Sequence, residues 1–147
     1  MRTLSHILAA KPAEIFTVRP SDSVLVALQI MATYNVGALP VVSTQGLVGI
    51  LSERDYARKV ALHGLTSSIT EVRDIMSSQV ITAHLGQTVM DCMNLMTERH
   101  IRHLPVVQDG ELVGMLSIGD LVKAVIEDQQ FDIQQLESYI SPQSVPH

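Results

Sequence analysis

The residues of this chain that are best suited to chemistry form one short pattern that occurs twice. The pattern Gly-x-Leu-Ser-x-x-Asp stands at residues 49–55 and again at residues 114–120. A strand that ends in Ser and leads into a helix presents a hydroxyl, free backbone N–H groups and the positive end of a helix dipole. The carboxylate that follows, Asp55 or Asp120, can accept hydrogen bonds from the two vicinal hydroxyls of a ribose. The pattern therefore indicates a ligand site, although the same Ser-x-x-Asp spacing is also an ordinary helix cap.

The motif belongs to a longer internal repeat. Residues 17–60 align without a gap on residues 82–125. Within that alignment Leu-Pro-Val-Val and Leu-Val-Gly each recur at equivalent positions. A register kept over this length indicates a duplicated unit whose copies pack as a pseudo-two-fold pair. We expect clefts where the copies meet, and clefts of this kind are common sites for small ligands.

Each copy predicts the same order of elements, β-α-β-β-α. The first strand is expected at 15–18 in copy one and at 80–83 in copy two. The helix that follows needs an N-cap, and the candidates are Ser21, Asp22 and Ser23 in copy one and Thr88 in copy two. Apolar residues then recur at helical spacing in both copies.

A hairpin and a second helix complete each copy. The Leu-Pro-Val-Val strand, 38–42 or 103–107, is expected to lie at an edge or to bend, because Pro cannot donate a hydrogen bond to a ladder. A turn joins it to the next strand. The remaining predicted elements are the strands 47–51 and 112–116 and the helices 55–62 and 120–129.

The expected fold is of the α/β (α+β) class, with pseudo-symmetric repeats packed sheet to sheet and short helices at both ends. Apolar residues at positions 133, 136, 139 and 140 predict an amphipathic C-terminal helix, and the Pro-containing end, 141–147, is expected to fray. The predicted parts are a helical lead-in at 1–14, copy one at 15–62, a linker with a helical turn at 63–79, copy two at 80–129, and a C-terminal helix and tail at 130–147.

Composition excludes several classes of function. The formal net charge of −5 argues against a nucleic-acid partner, which would need a basic face. We expect no membrane partner, because no apolar run approaches the ~20 residues of a membrane-spanning helix, and the start of the chain is not a convincing secretory signal. The single cysteine, Cys92, suits a reducing compartment. We therefore expect a cytoplasmic protein, with an organelle left open.

Neither a metal site nor a catalytic site is expected. The histidines and Cys92 show none of the short paired spacings typical of zinc ligands. Cys92 lies on an apolar helix face, where a core position is the commoner role. No nucleophile with a nearby base is recognisable beside Asp55 or Asp120. We predict that the protein is not an enzyme and holds no catalytic cofactor.

These paired segments resemble the cystathionine-β-synthase (CBS) domain family, and residues 15–125 are similar to a stand-alone tandem CBS pair, or Bateman module. The resemblance implies two clefts that bind adenosyl compounds such as AMP, ADP, ATP, NAD or S-adenosylmethionine. It also implies that each cleft takes its first strand and Leu-Pro-Val-Val segment from one repeat and its Ser-x-x-Asp from the other. The Asp would hold the ribose, and the Ser would reach the ribose or a phosphate.

Carried over residue by residue, the resemblance assigns a set of residues to each cleft. Cleft one would be formed by Thr17, Ala38, Pro40, Ser117 and Asp120. Cleft two would be formed by Thr82, Arg102, His103, Pro105, Ser52, Arg54 and Asp55.

The copies differ where charge matters. Arg102-His103 in copy two replaces Gly37-Ala38 of copy one, and Arg54 in copy one stands where copy two has Gly119. These basic residues all fall in cleft two, which makes it the predicted phosphate site, because Arg binds phosphate through paired hydrogen bonds. Cleft one would then be weaker or would prefer a less charged ligand. A solvated face is the alternative role for Arg54 and Arg102.

The sequence therefore predicts a non-enzymatic regulatory module that responds to an adenosyl nucleotide as an energy or redox sensor. The resemblance implies a homodimer formed through helices, and the output would pass to an enzyme or a transporter. The alternative is a regulatory or scaffold subunit that controls an enzyme by protein contact and whose clefts are vestigial. Nothing in the sequence chooses among the adenosyl ligands.

Overall fold

The computed structural model describes residues 2–11 and 14–140, so the predicted frayed end at 141–147 lies outside the described residues. The helices are α1 (Leu4–Ala9), α2 (Val24–Tyr34), α3 (Glu53–Tyr56), α4 (Val72–Ile75), α5 (Val89–Arg99) and α6 (Ile118–Ile140), and a π-helical segment, Ala57–Ala61, continues α3. The strands are β1 (Ala38–Ser43), β2 (Gly46–Ser52), β3 (His103–Gln108) and β4 (Glu111–Ser117).

The first helix of each repeat, α2 in copy one and α5 in copy two, begins at a predicted cap. Ser23 caps α2, because its hydroxyl accepts a hydrogen bond from the Val26 N–H at 3.2 Å. Thr88 caps α5 in a capping box, in which its hydroxyl accepts from the Asp91 N–H at 3.1 Å. The other candidate caps are not used in this way, and Asp22 instead accepts from the backbone of Arg19.

The hairpins β1–β2 and β3–β4 are antiparallel and share one register. Ala38 lies opposite Ser52, and His103 lies opposite Ser117. Each hairpin therefore brings the Ser of its Ser-x-x-Asp motif beside the residue that precedes Leu-Pro-Val-Val. Both ladders also shift register directly after the residue that follows the proline, which fits the predicted bend.

The first strand predicted for each copy is wrong in its extent. Of the predicted strand 15–18, only Val18 pairs, and its N–H donates to the Pro40 carbonyl at 3.2 Å in a parallel bridge. The ladder cannot continue, because the Pro40 nitrogen carries no hydrogen and the residue two positions after Val18 is also a proline. The predicted strand 80–83 is likewise reduced to a bridge at Ala83.

The short helices α1 and α4 are exchanged between the copies. Leu4 and Ile7 of α1 belong to the core of copy two, whereas Val72 and Ile75 of α4 belong to the core of copy one. Matching backbone hydrogen bonds hold the helices, at the start of α5 for α1 and at the start of α2 for α4. Each copy is thus completed by the helix that precedes the other copy in sequence.

The glycine of each Leu-Val-Gly segment makes room for these helices. A Cβ built on Gly114 would lie 2.7 Å from a methyl of Leu8, a residue of α1. A Cβ built on Gly49 would lie 2.5 Å from the sulfur of Met76, next to α4. Both distances are far below normal contact, so the recurrence of this glycine has a packing cause.

The C-terminal helix does not start where the sequence predicts it. The helices expected at 120–129 and from 130 onwards are one helix, α6, which runs without a break to Ile140. The first turns of α6 pack on copy two through Leu121 and Ala124, which are buried in its core. Every residue from Phe131 to Ile140 is exposed. In the described ranges no helix is both long and apolar enough to cross a membrane.

Candidate functional site

Cavities lie on both sides of the junction between the copies. Among the described residues, cleft one has a volume of about 640 Å³ and combines the start of β1 with the Ser-x-x-Asp motif of copy two. Cleft two has a volume of about 920 Å³ and combines the start of β3 with the motif of copy one. Both volumes suit a small-molecule ligand. Ala38 and His103 line both clefts, so the clefts are neighbours.

The structure places most of the predicted cleft-one residues together. Ala38, Pro40, Ser117 and Asp120 line this cavity, but Thr17 does not. Thr17 is exposed because the next residue, Val18, points into the core of copy one and neighbours in an extended chain point to opposite sides. Phe16 lines the cavity in its place.

Cleft two also departs from the prediction at its first strand. The predicted residues that do line it are Ser52, Arg54, Asp55, Arg102 and His103. Thr82 is exposed and Pro105 is buried, and neither lines the cavity. Ile81, the counterpart of Phe16, lines it instead.

Each Ser-x-x-Asp motif forms a helix cap as well as a cleft wall. The N–H of Ser52 donates to Asp55 Oδ2 at 2.9 Å, and the N–H of Asp55 donates to Ser52 Oγ at 3.1 Å. Ser117 and Asp120 repeat this exchange at 2.8 and 3.2 Å. In both motifs Oδ2 serves the cap, so Oδ1 is the carboxylate oxygen that an incoming hydroxyl would use.

Lysines pair with both carboxylates. Lys59 Nζ lies 3.2 Å from Asp55 Oδ1 and also donates to a carbonyl of α4. Lys11 Nζ lies 2.8 Å from Asp120 Oδ2 and donates to the Met115 carbonyl at 2.9 Å. The sequence did not single out these lysines, and Lys11 reaches cleft one only because α1 docks on copy two.

The ion pair with Lys11 changes the acidity of Asp120. Partial burial acts to raise the pKa of this carboxyl, but hydrogen bonds from Lys11 and Ser117 outweigh it, and the pKa is lowered from 3.8. Asp120 is therefore ionised at neutral pH, in the state that accepts hydroxyl hydrogen bonds.

An aromatic pair forms part of the wall of cleft one. The rings of Phe16 and Tyr34 are stacked, with centroids 3.7 Å apart and planes 13° from parallel. Both residues line the cavity. No sequence signal selects these two residues, because aromatics are only 3% of the chain. Their counterparts in copy two are Ile81 and Arg99, so cleft two lacks this pair.

The clefts differ strongly in charge, and more strongly than the sequence predicts. In the described part of the chain, cleft one is lined by one lysine, Lys11, and by the carboxylates of Glu14 and Asp120. The charged residues that line cleft two are the cations Arg54, Arg58, Lys59, Arg99 and Arg102 and the acids Glu53 and Asp55. Cleft two is therefore positive, and it is the better environment for phosphate.

His103 lies between the clefts, whereas the sequence assigns it to cleft two alone. Burial lowers its pKa from 6.5, and the nearby charges of Arg102 and Lys11 act in the same direction, against Asp120 and Glu53. The imidazole is consequently neutral near pH 7. A Cβ on Gly37 would lie 3.2 Å from His103 Nε2, so the glycine of copy one makes room for the histidine of copy two.

Cys92 is a core residue, as the sequence predicts. Its side chain is fully buried, and burial, followed by the charge of Asp91, raises the pKa of the thiol to about 11. The thiol is protonated and inert at neutral pH. Across residues 2–11 and 14–140, His, Cys, Asp and Glu form no group of three that could hold a metal ion.

Comparison with known proteins gives one consistent result. The family model of the CBS domain matches residues 7–62 and 72–127. The CBS domain-containing protein CBSX3, mitochondrial, from Arabidopsis thaliana is 44% identical over 124 residues, which are 81% of this chain and 60% of that protein. A structure of a CBS-domain protein from Burkholderia ambifaria MC40-6 shares 48% identity at a TM-score of 0.83, covering 86% of this chain and 96% of that one.

A more distant structure carries ligands. The CBS domain pair of protein MJ0100, in complex with 5′-methylthioadenosine and S-adenosyl-L-methionine, is 28% identical. It superimposes at a TM-score of 0.76 and covers 87% of this chain and 98% of its own.

Proposed function

The chain belongs to the CBS domain family as a tandem pair of repeats, a regulatory module, and from that premise we propose that it senses a phosphorylated adenosyl nucleotide through cleft two. The observation that carries the proposal is the charge of this cleft, where five cationic side chains face two carboxylates among the described residues. AMP, ADP, ATP and NAD all carry the phosphate that such a site would bind. The proposed output is regulation of an enzyme or transporter partner, and the module itself is not catalytic.

In cleft two the proposed roles follow from position. Asp55 would accept the ribose hydroxyls through Oδ1, after Lys59 moves from its present contact at 3.2 Å. Arg54 already reaches across the junction, where its Nη1 donates to the His100 carbonyl at 3.4 Å. Phosphate bound between Arg54 and Arg102 would replace this weak contact by charge-assisted hydrogen bonds.

Cleft one is proposed to take an adenosyl group with little negative charge. Asp120 would serve the ribose, and the stacked Phe16–Tyr34 pair offers an apolar face to a base. The bound MJ0100 pair supports this choice, because methylthioadenosine and S-adenosylmethionine are adenosyl compounds without phosphate. S-adenosylmethionine is thus the member of the expected ligand set that best suits cleft one.

One observation favours the alternative function, a scaffold or regulatory subunit with vestigial clefts. Lys11 and Lys59 already neutralise both motif carboxylates, so each cleft has an internal substitute for a ligand. In that case the partner enzyme would bind the module whether or not nucleotide is present.

The experiment begins with the purified protein and a mass spectrum of any small molecule released by denaturation. Calorimetry with adenosine, AMP and ATP follows, on the parent, on Arg54→Ala and on Arg19→Ala, which changes an exposed arginine outside both clefts. We expect AMP and ATP to bind more tightly than adenosine, and only Arg54→Ala to weaken them, by about tenfold. Absence of binding by all three, with a co-purifying enzyme, would favour the scaffold.

We also propose that the protein is a homodimer in the cytoplasm. A homodimer formed through helices would place two modules side by side and would let ligand binding change their relative angle. A reducing compartment follows from the lone buried cysteine. We propose the cytoplasm, and an organelle is the alternative, since the Arabidopsis relative is named as mitochondrial.

A further inference from the structure

The helix that follows the Ser-x-x-Asp motif of copy one departs from α-helical geometry, whereas its counterpart in copy two does not. The segment Ala57–Ala61 is π-helical, and the N–H of Leu62 donates to the Ala57 carbonyl at 3.1 Å. The equivalent residues, 122–126, belong to the regular helix α6. A π-turn holds more residues than an α-turn, so it changes which side chains face the core.

The π-turn moves the buried position along the chain by one residue. Ala124 is buried in the core of copy two, but its counterpart in copy one, Lys59, lines cleft two, and the next residue, Val60, is buried instead. In the register of copy two, Lys59 would have to enter the core, where an ammonium group is costly to bury. Arg58 also lines cleft two, whereas its counterpart, Lys123, lines neither cleft. The π-turn therefore accompanies two cations of cleft two whose counterparts do not line cleft one.

Arg99 adds a further cation to cleft two from the other copy. It is the last residue of α5, and His100 after it turns the chain with a positive φ of 54°. Its counterpart, Tyr34, lines cleft one and stacks on Phe16. The same position thus supplies an aromatic ring to one cleft and a charge to the other.

Four arginines meet across the junction in cleft two. Arg54 and Arg58 lie about one turn apart on the same helical stretch. Arg99 and Arg102 lie on either side of the turn that leads from α5 into β3. Arg54 Nη1 donates to the His100 carbonyl at 3.4 Å, which places the two segments in contact. When Arg54 and Arg102 hold one phosphate, the other two arginines remain available to a second.

The charge of cleft two exceeds what one phosphate group neutralises. Asp55 and Lys59, 3.2 Å apart, cancel in net charge. Among the described residues, the other charged side chains that line the cavity are the four arginines and Glu53. A phosphate monoester carries at most about two negative charges, so a nucleoside monophosphate leaves part of the positive charge uncompensated. The cavity has room for a longer ligand, since its volume is about 920 Å³ against about 640 Å³ in cleft one.

Resting on the function proposed for cleft two, we propose that Arg58 and Arg99 form a second phosphate position there, by which the module distinguishes nucleoside di- and triphosphates from monophosphates. Arg54 and Arg102 hold the phosphate nearest the ribose. Arg58 and Arg99 determine specificity, because they contact only the phosphates beyond it. Guanidinium groups suit this role, since each can donate two parallel hydrogen bonds to one phosphate group.

Calorimetry with AMP, ADP and ATP, in the absence of divalent cations, tests this position on the parent, on Arg58→Ala and on Arg99→Ala. We expect the parent to bind ADP and ATP about tenfold more tightly than AMP. Each substitution should weaken ADP and ATP binding by about tenfold, because it removes charge-assisted hydrogen bonds, and should change AMP affinity by less than about threefold. Arg19→Ala, at an exposed arginine outside both clefts, is the control and should change none of the three affinities.

A conservative variant and an inorganic ligand sharpen the test. Arg58→Lys keeps the charge but loses the paired donors, so its ATP affinity should lie between those of the parent and Arg58→Ala. Inorganic tripolyphosphate carries the phosphates without ribose or base, and it should bind more weakly than ATP. Binding of tripolyphosphate as tight as that of ATP would overturn the assignment of this position to a nucleotide.

The outcomes separate this inference from the proposed function. Equal losses of AMP and ATP affinity in Arg58→Ala and Arg99→Ala would show that these arginines act only through their general charge. A parent that binds AMP and ATP equally would exclude a second phosphate position. Either result overturns this inference and leaves nucleotide sensing through cleft two in place, whereas failure of the parent to bind any of the three nucleotides would overturn both proposals.

Discussion

At the scale of single residues, His103 is the clearest difference between the two copies, because copy one has Ala38 at this position. It lies opposite Ser117 in its own hairpin and fills the space left by Gly37 of the other copy. It borders both clefts, and burial lowers its pKa from 6.5. A neutral imidazole at the meeting point of the clefts can gain a proton when an anion binds, so its titration would report the proposed binding of phosphate.

We predict that His103 makes AMP affinity depend on pH below neutrality. Phosphate in cleft two favours the protonated imidazole, so binding takes up a proton and becomes tighter as the pH falls through the range near and below 6.5. Above that range the affinity should be flat. The gain should be a few-fold, because Arg54 and Arg102 stay charged throughout.

The measurement is calorimetry with AMP and adenosine at acidic and neutral pH, on the parent and on His103→Gln. The phosphate of AMP itself titrates near pH ~6, so the histidine contribution is the difference between parent and variant. Should that difference be zero, His103 does not sense the phosphate. Adenosine should bind equally at both pH values.

Asp55 has two roles that substitution can separate. Asp55→Ala removes both the cap and the proposed ribose acceptor, whereas Asp55→Asn keeps an oxygen that can accept from the Ser52 N–H. We expect Asp55→Ala to lose about 1 kcal/mol of stability and about tenfold in AMP affinity. Asp55→Asn should keep most of the stability and still bind AMP more weakly. Unchanged AMP affinity in both variants would leave Asp55 with the cap alone.

At the scale of elements, the exchanged helix α1 brings Lys11 into cleft one. We predict that Lys11→Ala raises the pKa of Asp120 toward its ordinary value. A carboxyl whose pKa is lowered in the folded state stabilises the fold at every pH above its ordinary pKa of 3.8. This stabilisation is lost as the pH falls through the lower pKa of the folded state. Lys11→Ala should therefore flatten acid unfolding below about pH 4, as followed by circular dichroism.

The same substitution tests whether Lys11 competes with a ligand. Removing it should strengthen adenosine binding in cleft one, because the Lys11 ammonium, 2.8 Å from Asp120 Oδ2, would no longer neutralise the carboxylate that accepts the ribose hydroxyls through Oδ1. Weaker adenosine binding in Lys11→Ala would instead show that the lysine assists the ligand. Lys123→Ala, an exposed lysine that lines neither cleft, is the control.

The docking of α1 also depends on a glycine. Gly114→Ala would place a Cβ 2.7 Å from a methyl of Leu8, so the Leu8 side chain or α1 itself must shift. We expect a loss of about 1–3 kcal/mol in the free energy of unfolding, measured in urea. Gly119→Ala is the matched control, since its Cβ would meet only Ser117 Oγ at 3.5 Å. The control should be neutral or slightly stabilising, and an equal loss in both variants would refute the steric explanation.

At the scale of the whole molecule, the two clefts are related by pseudo-symmetry but are lined by charges of opposite net sign. We predict that AMP fills cleft two first and that this preference weakens with salt, because it rests on the excess of positive charge in this cleft. Backbone NMR shifts during titration should respond near Asp55 at lower AMP concentrations than near Asp120. Adenosine, used as the comparison, should lose this order. Equal responses to AMP at every concentration would mean that charge does not sort the ligands.

Local signals explain what could be predicted. The hairpins, the cap Thr88, a cap among Ser21, Asp22 and Ser23, and the repeat order follow from turn residues, capping side chains and hydrophobic period, which act within a few residues. The first strands are shorter than the sequence predicts, because an apolar run such as 15–18 needs donors on its neighbour and Pro40 supplies none. Helix α6 is one element where the sequence predicts two, since nothing between residues 129 and 130 stops a helix.

The sequence alone determined that this protein is a duplicated β-α-β-β-α module, and its resemblance to the CBS family implied which Ser-x-x-Asp motif faces which hairpin. Only the tertiary structure decided that α1 closes copy two, that Lys11 reaches Asp120, and that Phe16 and Tyr34 stack in cleft one. The physical reason is distance along the chain. Lys11 and Asp120 are 109 residues apart, with the whole of copy one between them in sequence, and no local pattern distinguishes such a lysine from a solvated one.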